Sequence, residues 1–240
     1  MHVLKHLPNT ITSGNLLSGA LGVIFTFKGE FETAFLLMML AAVFDFFDGF
    51  AARLLKAYSP VGKELDSLAD DISFGLLPSL MLYKLCSNLG APLWVCLSPL
   101  LIAAFSALRL AKFNIDTRQS ENFIGLATPA AAMICGSLCC LVSSSEPFFL
   151  HEWCSGCIFI PALTVVICFL LVSEIPMFSM KFKKDTPRKI KVQRAIFALC
   201  TVICIIVTLA LHIHWSFAVL SAFVCYVVIN VLFSLRKETI

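Results

Sequence analysis

Between Phe44 and Asp71 the sequence reads FDFFDGFAARLLKAYSPVGKELDSLADD, placing five aspartates and one glutamate in a short span of a chain that is only 14% charged. On a helix, Asp45, Asp48, Gly49, Ala52 and Arg53 stand at offsets of 0, 3, 4, 7 and 8 residues and share one face. Ala57-Tyr58-Ser59-Pro60 then reads as a turn, with Ser59 able to cap a new helix and Pro60 suited to its first position. On that second helix Gly62, Asp66 and Asp70 recur in steps of four and form another stripe. Two antiparallel helices joined by this turn would aim Asp45 and Asp48 at Asp66 and Asp70. Four ionised carboxylates in so apolar a chain repel one another and are costly to desolvate, so a cation belongs between them. Oxygen ligands without His or Cys suit magnesium or manganese, which bridge carboxylates to substrate phosphates. Gly49, Ala52 and Gly62 leave room for a ligand beside the metal, and Arg53 can balance phosphate charge.

A single acid near a helix end commonly just reaches water, and small residues on a membrane helix commonly serve packing alone. Four acids, three small residues and one arginine in phase on consecutive helices argue for a site instead. Asp71, about 100° around the helix from Asp70, and Glu64, which is out of phase, fall outside it.

The elements that must position these groups are membrane helices. The chain is 59% hydrophobic with 22 Phe among 240 residues, well above the roughly 45–50% of soluble domains. Crossing about 30 Å of hydrocarbon takes about 20 apolar residues. Eight spans are expected, at 12–27, 33–56, 65–86, 92–113, 127–144, 157–175, 195–212 and 215–235. No short apolar region ending in an A-x-A-like site precedes them, so no cleaved signal peptide is expected. With both termini inside, 16 of the 18 Lys and Arg fall on cytoplasmic segments, Lys28 and Lys84 being the exceptions. The expectation is an all-α bundle of about eight transmembrane helices in the cell (inner) membrane, one domain over 1–240, with the catalytic motif at 45–70 facing the cytoplasm.

Most of the 11 cysteines lie inside apolar runs, where Cys behaves as a small hydrophobe. Cys154 and Cys157, in the outer loop SSSEPFFLHEWCSGC, are candidates for oxidation, and no second pair supports a zinc site. The segment MKFKKDTPRKIKVQR at 180–194 carries seven basic residues and one acid. It sets topology or attracts anionic lipid, which points to a membrane surface and not to nucleic acid.

The aspartate stretch resembles the CDP-alcohol phosphatidyltransferase family, whose signature is Asp-x2-Asp-Gly-x2-Ala-Arg-x8-Gly-x3-Asp-x3-Asp. Asp45, Asp48, Gly49, Ala52, Arg53, Gly62, Asp66 and Asp70 match every fixed position and gap. The resemblance implies a CDP-alcohol phosphotransferase fold and two divalent cations, Mg or Mn, held by Asp45, Asp48, Asp66 and Asp70. It further implies that Asp48, Gly49, Ala52, Arg53, Gly62 and Asp66 surround the CDP group, that Asp70 doubles as general base, and that the protein is a homodimer. Pro8-Asn9-Thr10-Ile11-Thr12 is similar to the family's entry segment.

Further along, Arg109-Leu110-Ala111-Lys112-Phe113-Asn114 and the run FIGLATPAA at 123–131 resemble the phosphatidylserine synthase branch, with Lys112 in place of the usual Arg and Ala127 in place of a Pro. That branch implies CDP-diacylglycerol and L-serine as substrates within a lipid membrane. Arg109 could pair with the serine carboxylate, and Asn114 could orient the amino acid. Two rivals stand beside this reading. The acceptor could be glycerol 3-phosphate or an inositol compound, or the intramembrane acids could mark an ion-coupled transporter.

Overall fold

The computed structural model describes residues 6–116, 123–144, 150–178 and 188–235. Helix α1 (Leu7–Lys28) carries a proline in its first turn and ends at Gly29, whose φ of 84° returns cap N–H groups to the carbonyls of Phe25 and Thr26. Its buried face consists of Pro8, Thr12, Asn15, Ser18, Gly19, Gly22 and Thr26, while Leu17, Leu21, Ile24 and Phe27 face outward. That arrangement inverts a soluble helix. Hydrocarbon accepts the leucines, and small or polar residues let neighbouring helices approach and bond. Helix α2 (Phe31–Leu54) packs against α1 along most of its length.

Helix α3 (Pro60–Asp70) begins as its sequence implies, with the Ser59 hydroxyl accepting a 3.0 Å hydrogen bond from the Gly62 N–H. It starts five residues before the expected span at 65 and continues through a π-helical turn, Asp71–Leu76, into α4 (Leu77–Asn88). Pro78 accounts for the wide turn. It has no N–H, and its ring would meet the carbonyl four residues back in a regular helix. The Leu77 N–H correspondingly returns to Ile72, five residues back. The expected span at 92–113 is divided at Pro99 into α5 (Leu93–Leu97) and α6 (Leu100–Ile115).

Helix α7 (Thr128–Ser143) is the centre of the bundle, with every residue but Pro129 and Ser143 buried. Helices α8 (Leu150–Ser155), α9 (Phe159–Val172), α10 (Arg188–Ala210) and α11 (Ser216–Leu235) complete the chain. A two-residue antiparallel ladder joins β1 (Phe123–Ile124) to β2 (Pro176–Met177). Gly125 follows at φ 76°, and a Cβ there would stand 2.8 Å from the carbonyl oxygens of Leu171 and Ser173. Only glycine fits so close to the end of α9. Phe178 is held by Asn230, whose Oδ1 accepts its N–H at 2.8 Å, and by the Tyr226 hydroxyl, which donates to its carbonyl at 3.0 Å.

The chain is an all-helical integral membrane protein. The expectation of eight spans is met only in part: among the described residues five helices are long and apolar enough to cross a bilayer, Leu7–Lys28, Phe31–Leu54, Leu93–Ile115, Ile190–Ala210 and Ser216–Leu235. Thr128–Ser143 and Phe159–Val172 are apolar but shorter, and the helix containing 65–86 carries the site's charges. Cys154 and Cys157 are free thiols and not a disulfide. Cys154 sits in the core, where burial pushes its thiol up to about 12, while Cys157 is exposed. Most of the basic segment at 180–194 lies outside the described residues.

Candidate active site

Asp45 and Asp48 come from the last turns of α2, and Asp66 and Asp70 from α3. Asp45, Asp48 and Asp66 each present a carboxylate oxygen, and the three lie within 4.8 Å of one another. Asp70 is near enough to feel the charges of all three. Asp66 Oδ1 is buried without a hydrogen-bond partner. Among the described residues no Lys or Arg forms an ion pair with these carboxylates. Convergent, unneutralised oxygens with one orphaned lone-pair donor fit a divalent cation, and the all-oxygen set fits Mg or Mn.

Helix α1 closes the site from the third side. The Thr12 hydroxyl donates to Asp48 Oδ2 at 2.6 Å, and Asn15 Nδ2 donates to Asp70 Oδ1 at 3.0 Å. Both residues are buried, and with Asn9 they follow one another every third position along the same face of α1. Sequence reasoning missed Thr12 and Asn15 as site residues. Their stride of three, beginning in the entry segment at Pro8-Asn9, was the available signal.

Next to Asp48 and Asp66 opens a cavity of about 520 Å³, lined also by Pro8, Asn9, Thr12, Gly49, Ala52, Tyr58, Gly62 and Lys63. This volume is ordinary for a small-molecule site. A Cβ at Gly49 would meet nothing within 4 Å, whereas one at Gly62 would stand 2.9 Å from Asn9 Oδ1 and 3.0 Å from Ser59 Oγ. Gly49 therefore keeps the cavity empty, and Gly62 keeps the turn and α1 together. Arg53 is exposed and is not part of the lining. Lys63, which sequence reasoning passed over, is on the wall and donates from Nζ to the Asn114 carbonyl at 2.7 Å.

The two candidate acceptor residues end α6. Arg109 is buried, donates from Nη1 to Thr128 Oγ1 at 3.4 Å, and keeps an Nε without a partner. It feels the charge of Asp70. It also borders a second cavity of about 360 Å³, shared with Lys112, Ser173 and Glu174. Asn114 instead donates from Nδ2 to Ser67 Oγ at 2.9 Å and so ties α6 to α3, one residue past Asp66. Asp71 is half-buried with an unpartnered Oδ1 that lies 2.6 Å from where a Gly75 Cβ would stand, against α6. Glu64 is exposed.

The family model for CDP-alcohol phosphatidyltransferases matches residues 5–167, which span α1 through most of α9 and hold the whole aspartate site. The chain belongs to this family. A CDP-diacylglycerol–serine O-phosphatidyltransferase of Mycobacterium tuberculosis is 31% identical over 231 residues, covering 93% of this chain and 77% of the relative. One of Bacillus subtilis is 37% identical over 130 residues, covering 54% of this chain and 73% of the relative. An archaetidylserine synthase of Methanothermobacter thermautotrophicus is 35% identical over 133 residues.

Gly49 offers a test of what fills the larger cavity. The Cβ of Gly49→Leu meets no atom within 4 Å, so the variant is expected to keep its melting temperature while the KM for the CDP-linked donor rises at least tenfold. An unchanged donor KM would remove this cavity from the binding site.

Proposed function

We propose that this protein transfers the phosphatidyl group of CDP-diacylglycerol to the hydroxyl of L-serine, giving phosphatidylserine and CMP. The observation that carries the reading is the convergence of Asp45, Asp48 and Asp66, the last two of which line a cavity large enough for a nucleotide headgroup. The serine O-phosphatidyltransferase names of relatives matching most of the chain support serine as the acceptor. No comparable support exists for the ion-coupled transporter reading.

The chemistry follows from the placement of the side chains. Divalent cations, two in number, held by Asp45, Asp48, Asp66 and Asp70, supply charge neutralisation at the diphosphate when bound. Gly49, Ala52 and Gly62 shape the nucleotide's place, with Asp48 and Asp66 serving its phosphates and Arg53 balancing their charge from its exposed position beside the cavity. Asp70 accepts the proton of the serine hydroxyl as the new oxygen–phosphorus bond forms, and the bond from that phosphorus to CMP breaks. Arg109, buried and within electrostatic reach of Asp70, pairs with the serine carboxylate, and Asn114 assists from the end of α6. The site faces the cytoplasm with both termini on that side, and the working unit is a homodimer.

An acceptor panel tests the assignment. Purified protein given CDP-diacylglycerol and manganese should release CMP with L-serine at a rate at least a hundredfold above that with glycerol 3-phosphate or inositol. Preference for either of the latter would move the protein to another branch of its family. Release of CMP without ion flux in liposomes separates both from a transporter.

A further inference from the structure

The buried face of α1 bears on Asp70 in a way that packing alone does not explain. Asn15 is wholly buried, and its Nδ2 lies 3.0 Å from Asp70 Oδ1 while its own Oδ1 has no hydrogen-bond partner. The amide cannot be turned over, because that would set its oxygen against a carboxylate oxygen. One turn further along each helix the contact repeats: Ser73 Oγ donates to the Asn15 backbone carbonyl at 3.0 Å, and a Cβ at Gly19 would collide with that same Ser73 Oγ. Asn15 and Gly19 on α1 are thus fastened to Asp70 and Ser73, on either side of the start of the π-helical turn.

We infer that Asn15 is a positioning residue for Asp70. Its amide holds Oδ1 so that Oδ2 is presented to the acceptor hydroxyl. A carboxylate has two equivalent oxygens and rotates about its last bond; a single rigid donor on one of them removes that freedom. Interhelical adhesion is a poor account of the same residue. The one hydrogen bond gained is offset by the buried amide oxygen left without a partner, so the pair adds little net adhesion between the helices. The Gly19–Ser73 contact then limits how far α1 can drift from α3, and displacement of a reacting group by about 1 Å is enough to cost about a hundredfold in rate.

This inference rests on Asp70 as the base, and the test separates the two. Full-length protein in lipid nanodiscs is compared as the native chain, Asn15→Leu, Asp70→Glu and the double variant. Asn15→Leu is expected to lower kcat at least thirtyfold, with the CDP-diacylglycerol KM, the melting temperature and the Mn²⁺ affinity measured without substrate each close to native. In the Asp70→Glu background, where the carboxylate is already displaced, the same change is expected to alter kcat less than threefold. A native kcat for Asn15→Leu, an equal loss in both backgrounds, or parallel loss of Mn²⁺ binding would each overturn the inference. Should Asn15→Leu fail to fold, Asn15→Ala, which only removes atoms, carries the same expectations. If Asp70→Asn, assayed beside these, turns over at the native rate, the reading of Asp70 as base falls, and the inference with it. If Asp70→Glu is slow and Asn15→Leu is not, the inference falls alone.

Discussion

Replacing Asp70 by Asn is expected to lower kcat by about 10³-fold, within the 10²–10⁴ contributed by a positioned general base and equivalent to about 4 kcal/mol of barrier. Asparagine has the shape of aspartate, and its carbonyl oxygen can still accept from Asn15 Nδ2, so the contact between α1 and α3 survives. What it loses is the lone pair basic enough to take the acceptor's proton. Removing one negative charge from a site where Asp45, Asp48 and Asp66 already crowd one another relieves repulsion, so the melting temperature should hold or rise slightly. CMP release and thermal unfolding, measured on the same preparation, check both halves. A rate within tenfold of native would remove proton transfer from Asp70.

Asp66→Ala is expected to abolish measurable turnover and to weaken Mn²⁺ binding by at least tenfold. Asp66 supplies one of the three oxygens that converge within 4.8 Å, and its buried Oδ1 has no partner in the chain. A structural aspartate would lose hydrogen bonds on truncation and destabilise the fold. Here the sign should be reversed: without metal, Asp66→Ala removes a like charge and should unfold no earlier than the native chain. With Mn²⁺ present the native chain should gain stability by mass action, and the variant should gain little. Chelation of the native enzyme should abolish activity and addition of Mg²⁺ or Mn²⁺ should restore it. Full activity in the presence of chelator would refute the metal reading.

The helical nature of the chain and the identity of the aspartates were legible because both depend on local periodicity. Offsets of three and four put Asp45 with Asp48, and Asp66 with Asp70, on single faces whatever else the fold does. The Ser59–Pro60 cap is equally local and forms as its residue types imply. Arg53 shows where periodicity blurs. At eight residues from Asp45 it lies about 80° around the helix, at the margin of the stripe, and the structure leaves it exposed beside the cavity and not on its wall. Helix count was also less legible than helix existence, because Thr128–Ser143 and Phe159–Val172 stop short of a full span and the helix through 65–86 carries the site's charges.

By itself, then, the sequence determined that this is a membrane-embedded helical protein with two acidic stripes spaced for divalent cations, since composition and angular spacing are properties of single segments. Only the tertiary structure decided which polar groups close on those stripes. Thr12 meets Asp48 across 36 residues, Asn15 meets Asp70 across 55, and Asn114 turns to Ser67 across 47. Such pairings depend on the rotation and separation at which helices pack. Those are set by small residues such as Gly19 and by the widened turn after Asp70, and periodicity within one helix carries no record of them.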